Sequence, residues 1–221
     1  MKNLHYLLSL LLLQATPFFA QKQQNFNLFD LQNQGKLTVV NRKIEAVEEQ
    51  GQGKKFVRLT EGSKEGVLWL PIKNFKNGTL EIEMRGKDVL QRSFIGLIFH
   101  GQNDSTYDAV YCRPFNFFAK DSVRKIHAIQ YIAHPTFTWK KLREERNGIF
   151  EKEIINPPDP NGWFKMRLVI RGKTVEGYIN DATKPSLTVE KLNDQHEGKV
   201  GLFMGDGAGG DFEKIVVKSH R

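Results

Sequence analysis

The stretch Phe94 to Phe117, FIGLIFHGQNDSTYDAVYCRPFNF, sets two apolar runs around a polar tip and carries His100, Tyr107, Tyr111 and Arg113. If GQNDST joins two antiparallel strands, His100 faces Tyr107, Ile98 faces Ala109, Gly96 faces Tyr111 and Phe94 faces Arg113. One face of that hairpin is then apolar, with Ile95, Leu97, Phe99, Val110 and Cys112, and suits packing on a second sheet. The other combines small residues with rings, a guanidinium and an imidazole. Such a face fits an open groove in which aromatic rings stack on a flat apolar ligand surface while Arg and His make hydrogen bonds, and sugars present surfaces of that kind. Equally, Tyr111 and Arg113 could do no more than cover a sheet rim.

Three further groups carry chemistry. His127, Gln130, Tyr131, His134 and Trp139 lie within one segment, where the imidazoles serve better as hydrogen-bonding groups than as zinc ligands, since none forms a close pair at ligand spacing. Glu81 and Glu83 share one face of the strand-like TLEIEMR, beside Arg85. They form an acid/base pair only if Arg85 depresses one pKa and burial raises the other; as exposed glutamates of an amphipathic strand they need no further role. The Gly-rich GDGAGGDF supplies Asp206 and Asp211, either as oxygen ligands of a structural calcium or as solvated residues of a tight turn. It is not a phosphate loop, because no Gly-Lys-Ser or Gly-Lys-Thr follows.

The elements that position these residues are mostly strands. From Lys36 onward, apolar residues alternate and Gly, Asn, Asp or Pro clusters separate the runs. About ten strands result, including KLTVV, KKFVRLT, GVLWLP, SFIGLIFH, HAIQYIA, WFKMRLVIR, TVEGYIN, KVGLFMG and FEKIVVK, enough for two stacked sheets. TWKKLREERNG reads as a short helix over a sheet edge with Gly148 as its left-handed cap, and NPPDPNG as a stiff loop.

With 221 residues, 39% hydrophobic and 26% charged, the chain is of ordinary globular composition and suits one domain. Residues 1–20, MKNLHYLLSLLLLQATPFFA, follow a signal-peptide plan, so residues 21–221 are expected as the mature chain in the periplasm or secreted. That apolar run is too short to span a bilayer. The single Cys112 excludes an internal disulfide and reads as a small core residue. The net charge of +8 favours anionic polymers, while the absence of a recognisable nucleic-acid motif argues against nucleic acid as the partner.

The hairpin, together with HAIQYIAHPTFTWKKLRE, PPDPNGWFKMRLVI and GKVGLFMGDGAGGDFEKIVV, resembles exported bacterial domains of the concanavalin A-like lectin and glucanase superfamily from about Gly66 to Val217. It is similar, more distantly, to the 3-keto-disaccharide hydrolase domain family. The resemblance implies an all-β, two-sheet jelly-roll sandwich with one or two short helices and a concave ligand face. It leaves function open among glycan binding, glycoside cleavage and a structural module of the cell envelope. The family sixteen glucanase signature would need Glu, Asp and Glu at alternate positions, and Arg85 stands in the place of the third carboxylate. A retaining mechanism wants two carboxyl groups ~5 Å apart across the scissile bond, so that activity is not carried over. The leading expectation is carbohydrate recognition on the concave sheet by His100, Tyr107, Tyr111, Arg113, His127, Gln130 and Trp139. A glycoside hydrolase or lyase using Glu81, Glu83 or His100 is the alternative.

Overall fold

A computed structural model describes residues 22–51 and 53–220; the expected signal segment lies outside the described residues. In chain order the elements are β1 (Lys22–Asn27), α1 (Leu28–Asn33), β2 (Thr38–Val40), β3 (Ile44–Glu49), β4 (Lys54–Leu59), β5 (Gly66–Trp69) and β6 (Asn77–Arg85). Next come β7 (Ile95–Asn103), β8 (Thr106–Cys112), α2 (Ser122–Lys125), β9 (Ile129–His134), α3 (Trp139–Glu145) and β10 (Glu151–Lys152). The chain closes with β11 (Trp163–Arg171), β12 (Thr174–Ile179), β13 (Leu187–Glu190), β14 (Lys199–Met204) and β15 (Gly210–His220).

The strands form two antiparallel sheets. The first runs β13-β12-β11-β6-β15-β4-β3, with β1 also on β15, and the second runs β10-β9-β8-β7-β14-β5-β2. Alternation dictates their shared core. Leu80, Ile82 and Met84 of β6 and Phe164, Met166 and Leu168 of β11 point inward from the first sheet; Ile95, Leu97 and Phe99 of β7 and Val110 and Cys112 of β8 do so from the second. Cys112 is a core residue as expected, and burial raises its thiol pKa, which keeps it protonated and inert. This is the all-β sandwich that the alternation predicts.

Three short α-helices are present among the described residues. In α3 the Thr138 side chain caps the Lys141 N–H at 3.3 Å, and the helix ends at Arg146. Gly148 does take φ +72°, but two residues beyond that end. No helix among the described residues is long and apolar enough to cross a membrane.

The β7–β8 pairing matches expectation at Gly96↔Tyr111 and Ile98↔Ala109, then shifts between Phe99 and Asn103. Two extra residues on β7 make this bulge, and His100 sits in it with φ +50°. His100 therefore does not face Tyr107. Its ring turns inward against Phe99 and Phe75, with Nε2 2.7 Å from the Lys76 carbonyl oxygen. Burial, only partly opposed by that bond, pulls its pKa down to about 4.

Candidate ligand cleft

A cleft of about 1190 Å³ lies on the outer face of the second sheet, larger than the roughly 300–1,000 Å³ of most small-molecule sites. Its floor follows from the strand register. Gly96 is flanked by Tyr111 on β8 and Phe203 on β14, and a Cβ at Gly96 would lie 2.1 Å from the Val110 carbonyl oxygen and 2.7 Å from the Tyr111 Cβ. Glycine is required there, and it lets the Tyr111 and Phe203 rings meet with centroids 4.9 Å apart. Phe94 and Phe115 meet edge to face at 5.3 Å beside them.

Arg113 runs over this floor, its guanidinium 4.9 Å from the Tyr111 ring centroid and 5.6 Å from that of Phe94. It donates to the His127 carbonyl at 2.9 Å, to the Tyr111 hydroxyl at 2.7 Å and to Gln130 Oε1. The Tyr111 hydroxyl donates in turn to Gln130 Oε1 at 3.0 Å. Burial pushes the Tyr111 pKa up to about 12, so it stays a neutral donor. Behind them Glu151, which β10 sets opposite Gln130, accepts from Arg143 at 3.0 and 2.8 Å. The same carboxylate lies 3.2 Å from His127 Nε2 and 3.9 Å from Arg113. Burial outweighs Glu151 at His127 and lowers its pKa, leaving the imidazole neutral.

Above the floor, α3 presents Trp139 at its first turn, 44% exposed, with the Arg143 guanidinium 5.2 Å from its ring. Arg42 builds the opposite wall. It donates to the carbonyls of Gly205 at 2.7 Å, Ala208 at 2.9 Å and Lys64 at 2.9 Å, while the Lys64 N–H donates to Asp206 at 2.7 Å. These bonds tie the 61–65 segment to the 205–208 turn and put Glu65 and Asp206 at the cleft.

Of the residues expected to bind ligand, Tyr111, Arg113, His127 and Trp139 line this cleft and Gln130 supports it from below. Tyr107 lies on the same face but beneath Glu65, to which its hydroxyl donates at 3.0 Å. His100 lies in the core, outside the cleft. Phe94, Phe203, Arg143 and Glu151 escaped sequence reasoning; the only available signal was that Phe94 extends the hairpin's outward face.

Glu81 and Glu83 do not join the site. They point outward from β6 in the first sheet, on the opposite side of the sandwich. Glu81 lies 3.8 Å from Lys165, and Glu83 3.4 Å from both Lys54 and Lys214. Burial raises the Glu83 carboxyl, but its hydrogen bond to Glu213 and the two ammonium groups outweigh that and hold its pKa below the usual range. An ionised, ammonium-paired carboxylate is a poor proton donor.

Asp206 and Asp211 are not brought together. Asp211 accepts from Arg58 at 2.7 and 3.0 Å and from Arg85 at 3.0 and 2.7 Å, so both its oxygens are taken by guanidinium groups. Among the described residues no three His, Cys, Asp or Glu side chains gather around a common point. These residues do not fit calcium, which wants six to eight oxygen ligands and no competing cation.

No family model matches the chain, and no curated protein does. Solved structures do. A carbohydrate-binding module, CBM66, from Bacillus subtilis aligns with 15% identity and a TM-score of 0.54 over 84% of this chain and 93% of that one. A Bacillus subtilis protein of unknown function with a galectin-like fold aligns with 11% identity and a TM-score of 0.56, over 91% of this chain and 100% of that one. The exoplasmic/lumenal domain of VIP36, in its form bound to Ca2+ and Man3GlcNAc, aligns with 10% identity and a TM-score of 0.54 over 85% of this chain and 86% of that one. Identities this low speak for fold alone, and the fold they share with this chain is the two-sheet antiparallel β-sandwich.

Proposed function

We propose that this protein recognises carbohydrate in the cleft over Tyr111 and Phe203. The carrying observation is Trp139, a large ring held 44% exposed at the wall of a cleft whose floor is already fixed by Arg113, Tyr111 and Gln130. Exposing an indole costs hydrophobic free energy, and a sugar's apolar face recovers it by stacking. The prearranged guanidiniums and the Glu65 and Asp206 carboxylates offer donors and acceptors to hydroxyl groups, with little side-chain ordering left to do on binding. Similar structures support the reading: one is a carbohydrate-binding module, and VIP36 has been captured with Man3GlcNAc. Delivery to the periplasm or outside the cell by the 1–20 leader fits this role.

Tyr111 needs a different role from the stacking platform that its sequence position suggests. It is only 2% exposed, so it supports the floor from within, and Trp139 is the most exposed ring at the cleft. Trp139→Ala should therefore lower affinity for a bound oligosaccharide about tenfold or more while shifting the melting temperature little. Titration calorimetry with a ligand found on a glycan array checks this. Unchanged affinity in a folded Trp139→Ala protein would remove the main support for the cleft as the sugar site.

A further inference from the structure

We infer that the cleft selects acidic sugars, those bearing uronate carboxylates or sulfate esters, over neutral ones. This rests on the reading of the cleft as a sugar site and adds the charge of its ligand. Four arginines line the cleft: Arg92, Arg113, Arg124 and Arg143. Arg143 has its carboxylate in Glu151, and the buried Arg113 shares it at 3.9 Å. The lining acids have partners of their own. Glu61 is bridged to Lys87, Glu65 accepts from Tyr107 and lies 3.5 Å from His134, and Asp206 accepts from the Lys64 N–H.

Arg92 and Arg124 differ from these. Among the described residues neither has a carboxylate oxygen within 4.0 Å in an ion pair. Arg124 is held by neutral oxygens, donating to Asn116 Oδ1 at 3.2 Å and to the Phe115 carbonyl at 2.8 Å. Those two bonds aim its guanidinium without neutralising it. Arg92 sits at the Gly207 turn on the far side of Phe94, close enough that a Cβ at Gly207 would lie 3.2 Å from its Nη1. Lys87 and, at longer range, Arg92 lower the Glu61 pKa, but Glu61 makes its ion pair with Lys87. Two guanidiniums without a carboxylate ion pair beside an aromatic floor are complementary to anionic groups on successive sugar rings. Planar, weakly hydrated guanidinium pairs with carboxylate or sulfate better than it serves a hydroxyl group.

The test compares sugars that differ in charge alone. Oligogalacturonate and its fully methyl-esterified form serve as one pair, a sulfated galactan oligosaccharide and its desulfated form as the second, both titrated at 50 and 500 mM NaCl. The acidic member of at least one pair should bind at least tenfold tighter at low salt, with the preference shrinking at high salt. Whichever pair shows the effect tells carboxylate from sulfate. Arg92→Gln and Arg124→Gln should each cost the acidic ligand about tenfold more than they cost its neutral partner. Equal binding of charged and neutral members overturns the charge selection and leaves sugar recognition standing. Retention of the acidic preference in both variants also overturns it. No binding by any member overturns both readings.

Discussion

Replacing Lys191 with Met should lower the unfolding free energy by about 3–5 kcal/mol at pH 8, the cost of breaking a buried ion pair from one side. Lys191 and Asp108 are almost fully enclosed, 3.4 Å apart, where the chain beyond β13 folds back over the second sheet. The ammonium also donates to the carbonyls of Asn193 at 2.7 Å and Gln195 at 2.6 Å, while Tyr131 donates to the carboxylate and accepts from the Leu192 N–H at 2.9 Å. Without Lys191 a carboxylate remains in the core facing only a phenol and an amide. Burial already raises the Asp108 pKa to about 6, against the opposing pull of Tyr131 and Lys191. A raised carboxyl pKa means that the folded state binds a proton more tightly than the unfolded state does. Stability from this group is therefore greatest below its unfolded value near 3.8 and is lost as pH rises through about 6. Removing the ammonium lifts that pKa further, so the deficit of Lys191→Met should be large at pH 8 and should narrow toward pH 5. Urea unfolding at both pH values measures it, and an equal deficit at both would contradict the assignment.

Glu151→Gln is the second substitution with a large expected effect. Its side chain is 2% exposed and is the shared counter-charge of Arg143 and Arg113. The amide keeps the shape but leaves a buried guanidinium without its nearest negative charge, at a cost of about 3 kcal/mol. Because Arg143 braces α3 against β10, the indole of Trp139 should lose definition as well. Affinity for sugar and melting temperature are thus expected to fall together, in contrast to Trp139→Ala, where only affinity falls. Calorimetric melting beside a binding titration separates the two patterns. A melting temperature within about 1 °C of wild type would show that the cluster contributes little, since 1 kcal/mol moves a domain of this size by roughly 2–4 °C.

The sandwich was readable because alternation is a period-two signal and nearly every long strand obeys it; WFKMRLVIR matches β11 from Trp163 to Arg171. Short polar strands were not readable. IEAVEE in β3 and the two-residue β10 are made by pairing with neighbours, and β10 brings Glu151 behind the cleft floor, opposite Gln130. His100 was misplaced because a bulge breaks the period without leaving a mark in the side-chain pattern. Likewise Asp211 meets Arg58 and Arg85 only through the register of β15 against β4 and β6, which spacing in the chain does not encode. Tyr111, Arg113, His127 and Trp139, grouped from the sequence, line one cleft, since adjacent strands and the following helix keep sequence neighbours close in space. Arg92 and Arg124 sit between strands, where alternation says nothing of direction.

The chain's three tryptophans make the central claim directly measurable. Trp139 stands in the cleft, Trp69 is buried with its indole N–H donating to Asp104 at 2.7 Å, and Trp163 packs against Phe56 on the outer face of the other sheet. In a nitrogen-15 spectrum of the indole groups, titrated with an oligosaccharide that binds, the Trp139 resonance should move to saturation with the binding constant found calorimetrically, while Trp163 stays fixed. A saturating shift at Trp163 with Trp139 unmoved would place the sugar on the opposite sheet and contradict the account.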